Sequence, residues 1–381
     1  METTELTSSR YWESADVDLR LNPRRKIDSE GLVSYLEQQR GIRSAVVLAT
    51  SGSTGAFKFV VLSREALLHS ARAVIEHCGL GSGDVSLAGL SGFHVGGLGI
   101  YARACLTGSR VVEMDTGTWQ RDGARMIRAI EENEVTLTSM TPTHLHDLVT
   151  HGVRAPGSLR LVFLGGGRMD PRLIRNAREL GWPVRVSYGM TEAGSQVATA
   201  RDDSVEWLPI LKSWETRVED DGRLAIRGKA LFSGYVQREG DGWSFDGGRN
   251  EDGWYVTGDR CDLEGERLRF RGRADDLVKI SGEFVSVAEV NALASSIANE
   301  LGSDAAVVAV SDDRRGQELV LVLEACDRDA DEFLGDLNRE LDGIEAVRRV
   351  VLVEELPRTE IGKLDRVELD RIAAAAGSGG R

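Results

Sequence analysis

The sequence predicts an α/β protein, with a large N-terminal domain of α/β subdomains plus a small β-barrel-like part, followed by a small α+β C-terminal domain. Three observations carry this prediction. Short β-branched runs alternate with helix-like stretches through the first half of the chain, the pattern of a sheet covered by helices. From about Ser204 to Arg273 the runs are punctuated by glycine and alternate apolar with polar residues, as hairpins or a small barrel do. After Asp275 helical and strand patterns mix again. A chain of 381 residues exceeds one typical domain, and the expected division is 1–274 and 275–381, with the β-rich part at about 205–273.

In chain order, Ala45 to Leu48 reads as a strand and Arg64 to His77 as a helix. Val111 to Val112 reads as a strand, Gly123 to Asn133 as a helix, and Leu161 to Leu164 and Val184 to Val186 as strands. Strands separated by helices imply a mostly parallel sheet. Strands follow at Arg223 to Arg227, Gly253 to Thr257 and Arg267 to Arg271. The C-terminal part offers a helix from Ser286 to Leu301, strands at Ala305 to Val310 and Glu318 to Leu323, and a helix from Asp329 to Leu341. The Ala-rich run from Ala373 gives way to Gly-Ser-Gly-Gly-Arg, a frayed helix end and flexible chain.

The net charge of −14 argues against binding to nucleic acid or an anionic membrane, because no basic excess exists to release counterions. Any anionic ligand must be held by local groups. The N-terminus lacks a basic stretch followed by an apolar core, and no run of about 18 apolar residues occurs, so the expectation is a cytoplasmic protein without membrane insertion. Cys78, Cys105, Cys261 and Cys326 are scattered without a CxxC pair, which favours reduced structural thiols. His144 and His146 do not share a helical face, which disfavours a metal site there. Whether the chain forms a homo-oligomer is left open.

The strongest local signal is Thr50-Ser51-Gly52-Ser53-Thr54-Gly55-Ala56-Phe57-Lys58, read as lying between a strand and a helix. Its hydroxyls, glycine backbone N–H groups and lysine suit a polyphosphate. It is not a Walker A loop, since two residues separate Gly55 from Lys58. Downstream, Tyr188-Gly189-Met190-Thr191-Glu192 follows a strand and offers a hydroxyl and a carboxylate to a nucleotide phosphate and its Mg²⁺. Further on come Gly253-Trp-Tyr-Val-Thr-Gly-Asp259, Arg271-Gly-Arg273-Ala-Asp275-Asp-Leu-Val-Lys-Ile-Ser-Gly282 and Pro357-Arg-Thr-Glu-Ile-Gly-Lys363.

In this order and spacing the motifs resemble the adenylate-forming superfamily of acyl-CoA synthetases, peptide-synthetase adenylation domains and luciferases, over nearly the whole chain. The resemblance implies that residues 50–58 form the phosphate loop, that Gly165, Gly166, Gly167 and Tyr188 flank the adenine, and that Thr191 and Glu192 contact phosphate and Mg²⁺. It further implies that Asp259 takes the ribose hydroxyls with Arg273 beside it, that Asp275 is the hinge of a mobile C-terminal domain, and that Lys363 is that domain's adenylation lysine. ATP, Mg²⁺ and coenzyme A would be the cofactor and co-substrates, and a small carboxylic acid the substrate.

Ser91-Gly-Phe93-His94, followed by Arg103, falls where the superfamily builds its acyl pocket. Amino-acid-activating members carry an Asp where His94 stands, which disfavours an amino acid. Phe93-His94, Arg103 and the continuation Met190-Thr-Glu-Ala-Gly-Ser195-Gln196 look most like the 2-succinylbenzoate–CoA ligase branch. Resemblance to it implies an aromatic dicarboxylate, with Arg103 pairing with the second carboxylate and His94, Ser195 and Gln196 lining the pocket. Phe57 and Phe59 depart from the proline and glycine usual in the phosphate loop, leaving every charged group in place.

Overall fold

The computed structural model describes residues 3–375 apart from 24, 52–56, 115–122, 168, 282, 313, 327, 342 and 360–363. Two compact units are present: Met1–Thr257 with Cys261–Phe270, and Gly258–Arg260 with Arg271–Arg381.

The first unit is organised around a six-stranded sheet in the order Arg110–Glu113, Val85–Ala88, Leu137–Met140, Leu161–Leu164, Val184–Met190, Ser195–Thr199. The first five strands pair in parallel. Every residue of Leu137–Met140 and Leu161–Leu164 is buried, as required of strands covered on both faces. The last strand turns back antiparallel through the short 3-10 turn Thr191–Ala193. Among the covering helices, Arg64–Cys78 is capped at its start by the Ser63 hydroxyl, which accepts from the Ala66 N–H at 3.0 Å, and ends at Gly79 with φ +62.

A second sheet runs Val17–Arg20, Ala45–Ser51, Phe57–Ser63, Gly234–Glu239, Gly242–Asp246. Two readings of the sequence change here. The stretch at Thr50 does not lead from strand to helix: Ala45–Ser51 pairs antiparallel with Phe57–Ser63, so the Ser/Gly-rich segment joins two strands of a hairpin, and Lys58 lies on the second strand. The physical reason is that Phe59-Val-Val-Leu62 is a buried apolar run carrying β-branched residues, while Ser63 sets the helix start only afterwards. The β-rich stretch is likewise divided. Gly234–Glu239 and Gly242–Asp246 join this second sheet, whereas Leu208–Pro209, Glu215–Val218, Arg223–Arg227, Tyr255–Glu264 and Arg267–Arg273 form a separate five-stranded sheet.

The N-terminal segment completes the second sheet through parallel pairing of Val17–Arg20 with Ala45–Leu48. Buried Arg64 secures it by donating from Nη1 to the carbonyls of Ser14, Asp16 and Ala45, with its guanidinium 4.9 Å from the Tyr11 ring centroid. A buried charge is tolerable when hydrogen-bonded in this way.

In the second unit, Ala305–Asp312, Gly316–Glu324 and Arg349–Val353 form a three-stranded sheet. Its two faces follow the period-two alternation of a strand. Ala305, Val307, Leu319, Leu321 and Leu323 pack in the cluster that includes Val290 and Ala294 of the helix Val287–Glu300 and Phe333 and Leu337 of Ala330–Arg339. Ala306, Val308, Val320 and Val322 pack with Leu369 and Ala373 of Arg366–Ala375. Arg366 at the start of that last helix pairs with buried Asp276 at 2.7 Å.

Among the described residues no helix is long and apolar enough to cross a membrane, and no cluster of His, Cys, Asp and Glu is built to hold a metal by itself. None of the four cysteines forms a disulfide. His144 is buried at the start of the helix Pro142–Thr150, where it forms a capping box with Thr141.

Candidate active site

The hairpin brings Thr50 opposite Lys58, and the Thr50 hydroxyl donates to the Lys58 carbonyl at 3.2 Å. Lys58 precedes Val60 by two residues and so shares its face of the strand. Val60 pairs with Tyr235 of the neighbouring strand, and the Lys58 ammonium sits 4.5 Å from the Tyr235 ring centroid, a diagonal cross-strand contact with cation–π character. Gly52, Ser53, Thr54 and Gly55 lie outside the described residues, as does the Ser51 side chain.

The strand Val184–Met190 delivers the second group. Its pairing with Ser195–Thr199 shifts register between Tyr188 and Gly189, a β-bulge. At Gly189 a Cβ would lie 1.8 Å from the Ser195 carbonyl oxygen, so only glycine permits this close approach. Ser195 itself adopts φ +136, a region strained for an L side chain. Met190 ends the strand, half-buried against the core, and Thr191 and Glu192 open the turn capped by Gly194 at φ +61. The bulge therefore sets where the Thr191 hydroxyl and Glu192 carboxylate emerge.

Glu192 is fixed from two directions. Its carbonyl accepts the Phe232 N–H at 2.8 Å, and its Oε1 accepts the Tyr235 hydroxyl at 2.7 Å. The Tyr235 oxygen is also 2.7 Å from the Tyr255 hydroxyl. Phe232 packs edge-on against both rings, at 4.7 Å and 5.0 Å between centroids. Burial, with the Glu192 charge next, pushes the Tyr235 phenol well above the usual tyrosine range, so it stays a donor. Neither tyrosine is singled out by the sequence motifs, although Tyr255 lies inside Gly253 to Asp259 and Tyr235 follows Gly234, whose φ is +158.

Beside this group, Tyr188 is buried with its ring tilted 31° against exposed Phe270, 5.7 Å between centroids; Phe270 is a third residue that the sequence motifs do not single out. At Gly165 a Cβ would meet the Ser187 hydroxyl at 2.7 Å, and that hydroxyl donates to the Leu164 carbonyl at 3.2 Å. Gly166 has φ +78, and a Cβ on Gly167 would come 3.1 Å from Pro142. The three glycines thus keep backbone exposed at the end of a parallel strand, the usual place for a ligand on such a sheet.

The residues expected to line an acyl pocket lie on and beside the helix Val95–Thr107 and on the strand Ser195–Thr199. His94 directly precedes it, its ring 4.8 Å from that of Phe93. Arg103 lies one turn beyond Gly99, and a Cβ at Gly99 would stand 3.2 Å from Arg103 Nη1 and 3.8 Å from the Ser195 hydroxyl. The missing side chain therefore lets Arg103 and Ser195 approach the same spot. Arg103 is 6% exposed, and among the described residues its Nε has no hydrogen-bond partner. Its guanidinium lies 5.2 Å from the Phe163 ring centroid. Burial pushes its pKa down to about 10, opposed only by the Cys78 thiol, which leaves it charged at neutral pH with no carboxylate acting on it among the described residues. Gln196 is buried, and its Oε1 accepts from the Thr199 hydroxyl at 2.5 Å, so that oxygen is already engaged.

Within the second unit, Arg273 Nη1 stands 3.9 Å from Asp259 Oδ1, and a Cβ on Gly258 would meet Arg273 Nη2 at 2.9 Å. Asp259 and Arg273 are thus neighbours. The Asp275 side chain and Lys363 lie outside what the structure describes.

Residues 22–236 match the family model described as AMP-binding enzyme, and residues 297–363 the AMP-binding enzyme C-terminal domain. The 2-succinylbenzoate–CoA ligase of Bacillus licheniformis is 30% identical over 372 residues, 91% of this chain and 75% of that protein. The o-succinylbenzoate CoA synthetase of Bacillus subtilis, solved with the acyl-adenylate intermediate OSB-AMP, superimposes with a TM-score of 0.72 at 27% identity, covering 85% of this chain and 68% of that one. The same synthetase with ATP and magnesium ion gives a TM-score of 0.74 at 24% identity, covering 98% and 82%.

Proposed function

We propose a substrate and a division of labour for a chain that belongs to the AMP-binding enzyme family: it is an AMP-forming acid–CoA ligase acting on 2-succinylbenzoate in menaquinone biosynthesis. The succinyl carboxylate attacks the α-phosphorus of ATP and pyrophosphate leaves. The thiol of coenzyme A then attacks the acyl carbon, AMP leaves, and the thiol proton passes to solvent.

The observation that supports this acid is Arg103. A buried cation without a carboxylate is expensive in a folded protein, and here it lies beside Gly99 and Ser195 at the acyl pocket. The ring carboxylate of an aromatic dicarboxylate offsets that charge, while Phe163 offers an aromatic face.

The other roles are those the family resemblance implies, and the residue types suit them. Gly165, Gly166, Gly167 and Tyr188 receive the adenine, Asp259 the ribose hydroxyls, and Thr191 and Lys58 the phosphates. Mg²⁺ takes one or two carboxylates and fills its shell with phosphate oxygens and water, which fits Glu192, whose carboxylate is held through one oxygen by Tyr235. When bound, the ion neutralises charge on the polyphosphate.

The test is pyrophosphate release with ATP, Mg²⁺ and coenzyme A, comparing 2-succinylbenzoate with the analogue lacking the ring carboxylate. Arg103→Met is expected to raise KM for the dicarboxylate by about 10- to 150-fold, the range of a charge-assisted hydrogen bond worth roughly 1.5–3 kcal/mol, with KM for the monocarboxylate nearly unchanged. Equal effects on both acids would remove Arg103 from the pocket. Preference of the wild type for another acid would keep the ligase and discard this substrate.

A further inference from the structure

We infer that Tyr235 is a positioning residue of the adenylation step, fixing the Glu192 carboxylate through its hydroxyl and the Lys58 ammonium through its ring. The inference rests on the proposed roles of Glu192 and Lys58 and adds a residue that links them.

Each phenol has one proton. Tyr235 donates its own to Glu192 Oε1 at 2.7 Å, so in the 2.7 Å contact between the two phenols Tyr255 is the donor. The direction of the chain, Tyr255 to Tyr235 to Glu192, is therefore fixed. Among the described residues Glu192 Oε2 has no protein hydrogen bond, so the chain selects which carboxylate oxygen is presented to a ligand. The carbonyl of the same residue is held by the Phe232 N–H, which leaves the carboxylate little freedom to swing.

Strand pairing supplies the other half. Tyr235 is opposite Val60, and Lys58 lies two residues before Val60 on the same face, so its ammonium rests 4.5 Å from the Tyr235 ring centroid. One side chain thus touches both charged groups assigned to the polyphosphate. Phe232 confines its ring from a third side. A tyrosine serving only to fill the core needs no hydroxyl, and phenylalanine would pack as well; the hydroxyl is what distinguishes the two accounts.

Tyr235→Phe retains the ring under Lys58 and removes the donor to Glu192. Its expected effect is a loss of about tenfold in affinity for Mn²⁺·ATP, measured by electron paramagnetic resonance without any acid present. An increase of about the same factor in the Mg²⁺ concentration giving half-maximal pyrophosphate release should accompany it, on the scale of one hydrogen bond to a charged group. KM for the acid should be unchanged. In a Glu192→Gln background the same substitution should add less than about twofold, since the two residues act as one unit. Tyr235→Leu, which also withdraws the ring from Lys58, should lower kcat further. Wild-type Mn²⁺·ATP affinity and Mg²⁺ dependence in Tyr235→Phe would overturn the inference. Failure of the wild type itself to bind Mn²⁺·ATP would overturn the proposed function instead, and an error in the acid alone would leave the metal-nucleotide measurement intact.

Discussion

Gly189→Ala is expected to lower turnover by about a hundredfold and to destabilise the protein at the same time. The added Cβ would stand 1.8 Å from the Ser195 carbonyl oxygen and 2.7 Å from its carbon, contacts with backbone that no rotamer change relieves. Overpacking against fixed structure costs about 1–3 kcal/mol or more. The strain has few ways out: Gly189 is paired with Gln196 and Met190 with Ser195, Gln196 is tied to Thr199 and Trp214, and Ser195 already has φ +136. Relaxation therefore moves the start of the turn that carries Thr191 and Glu192. A misplacement of about 1 Å in a catalytic constellation is enough for a loss on the order of 10²-fold. Urea denaturation and pyrophosphate release together check this. A variant with near-wild-type turnover would show that the bulge does not set the position of Glu192.

The residues that carry charge were legible in the sequence because of the motifs they stand in. Thr191-Glu192 follows a strand end, and Asp259, Arg273 and Lys58 stand in short motifs that point to a nucleotide site only through their common order along the chain. Helices were legible for a more local reason: Arg64–Cys78 has its own cap and its own apolar face. What the sequence left open is long-range pairing. Nothing local in Ala45–Ser51 says that it pairs with both Val17–Arg20 and Phe57–Ser63, although the alternation in Val17-Asp-Leu-Arg is a strand signal that was available. A Ser/Gly-rich segment after a strand reads equally well as a strand-to-helix loop or a hairpin tip, and the deciding signal is the short apolar, β-branched run on its far side at Phe59 to Leu62. Tyr235 and Tyr255 went unremarked for the same reason. A tyrosine is a common core residue, and its role at Glu192 appears only when two strands separated in sequence by other elements bring the hydroxyls together.

Lys363→Ala is the variant expected to separate the two half-reactions. Lys363 is outside the described residues, but the chain on both sides of it is anchored. Arg358 and Leu364 form an antiparallel bridge, the Asp365 N–H donates to the Pro357 carbonyl at 2.8 Å, and Arg366 is held by Asp276 at 2.7 Å. The described residues on both sides of it are thus held by the second unit's own contacts. Attack of a carboxylate on the α-phosphorus brings two anions together, so a cation supplied at that step acts on charge developing in the transition state, an effect of about 10²- to 10³-fold for a single contact. Thiol attack on the acyl adenylate has no such demand at the phosphorus. The expected result is a fall of about 10²- to 10³-fold in acid-dependent exchange of pyrophosphate into ATP, while thioester formation from supplied acyl adenylate and coenzyme A stays within about threefold of wild type. Parallel loss of both half-reactions would mean that Lys363 supports the fold or both steps alike, and the assignment of the lysine to adenylation would have to be withdrawn.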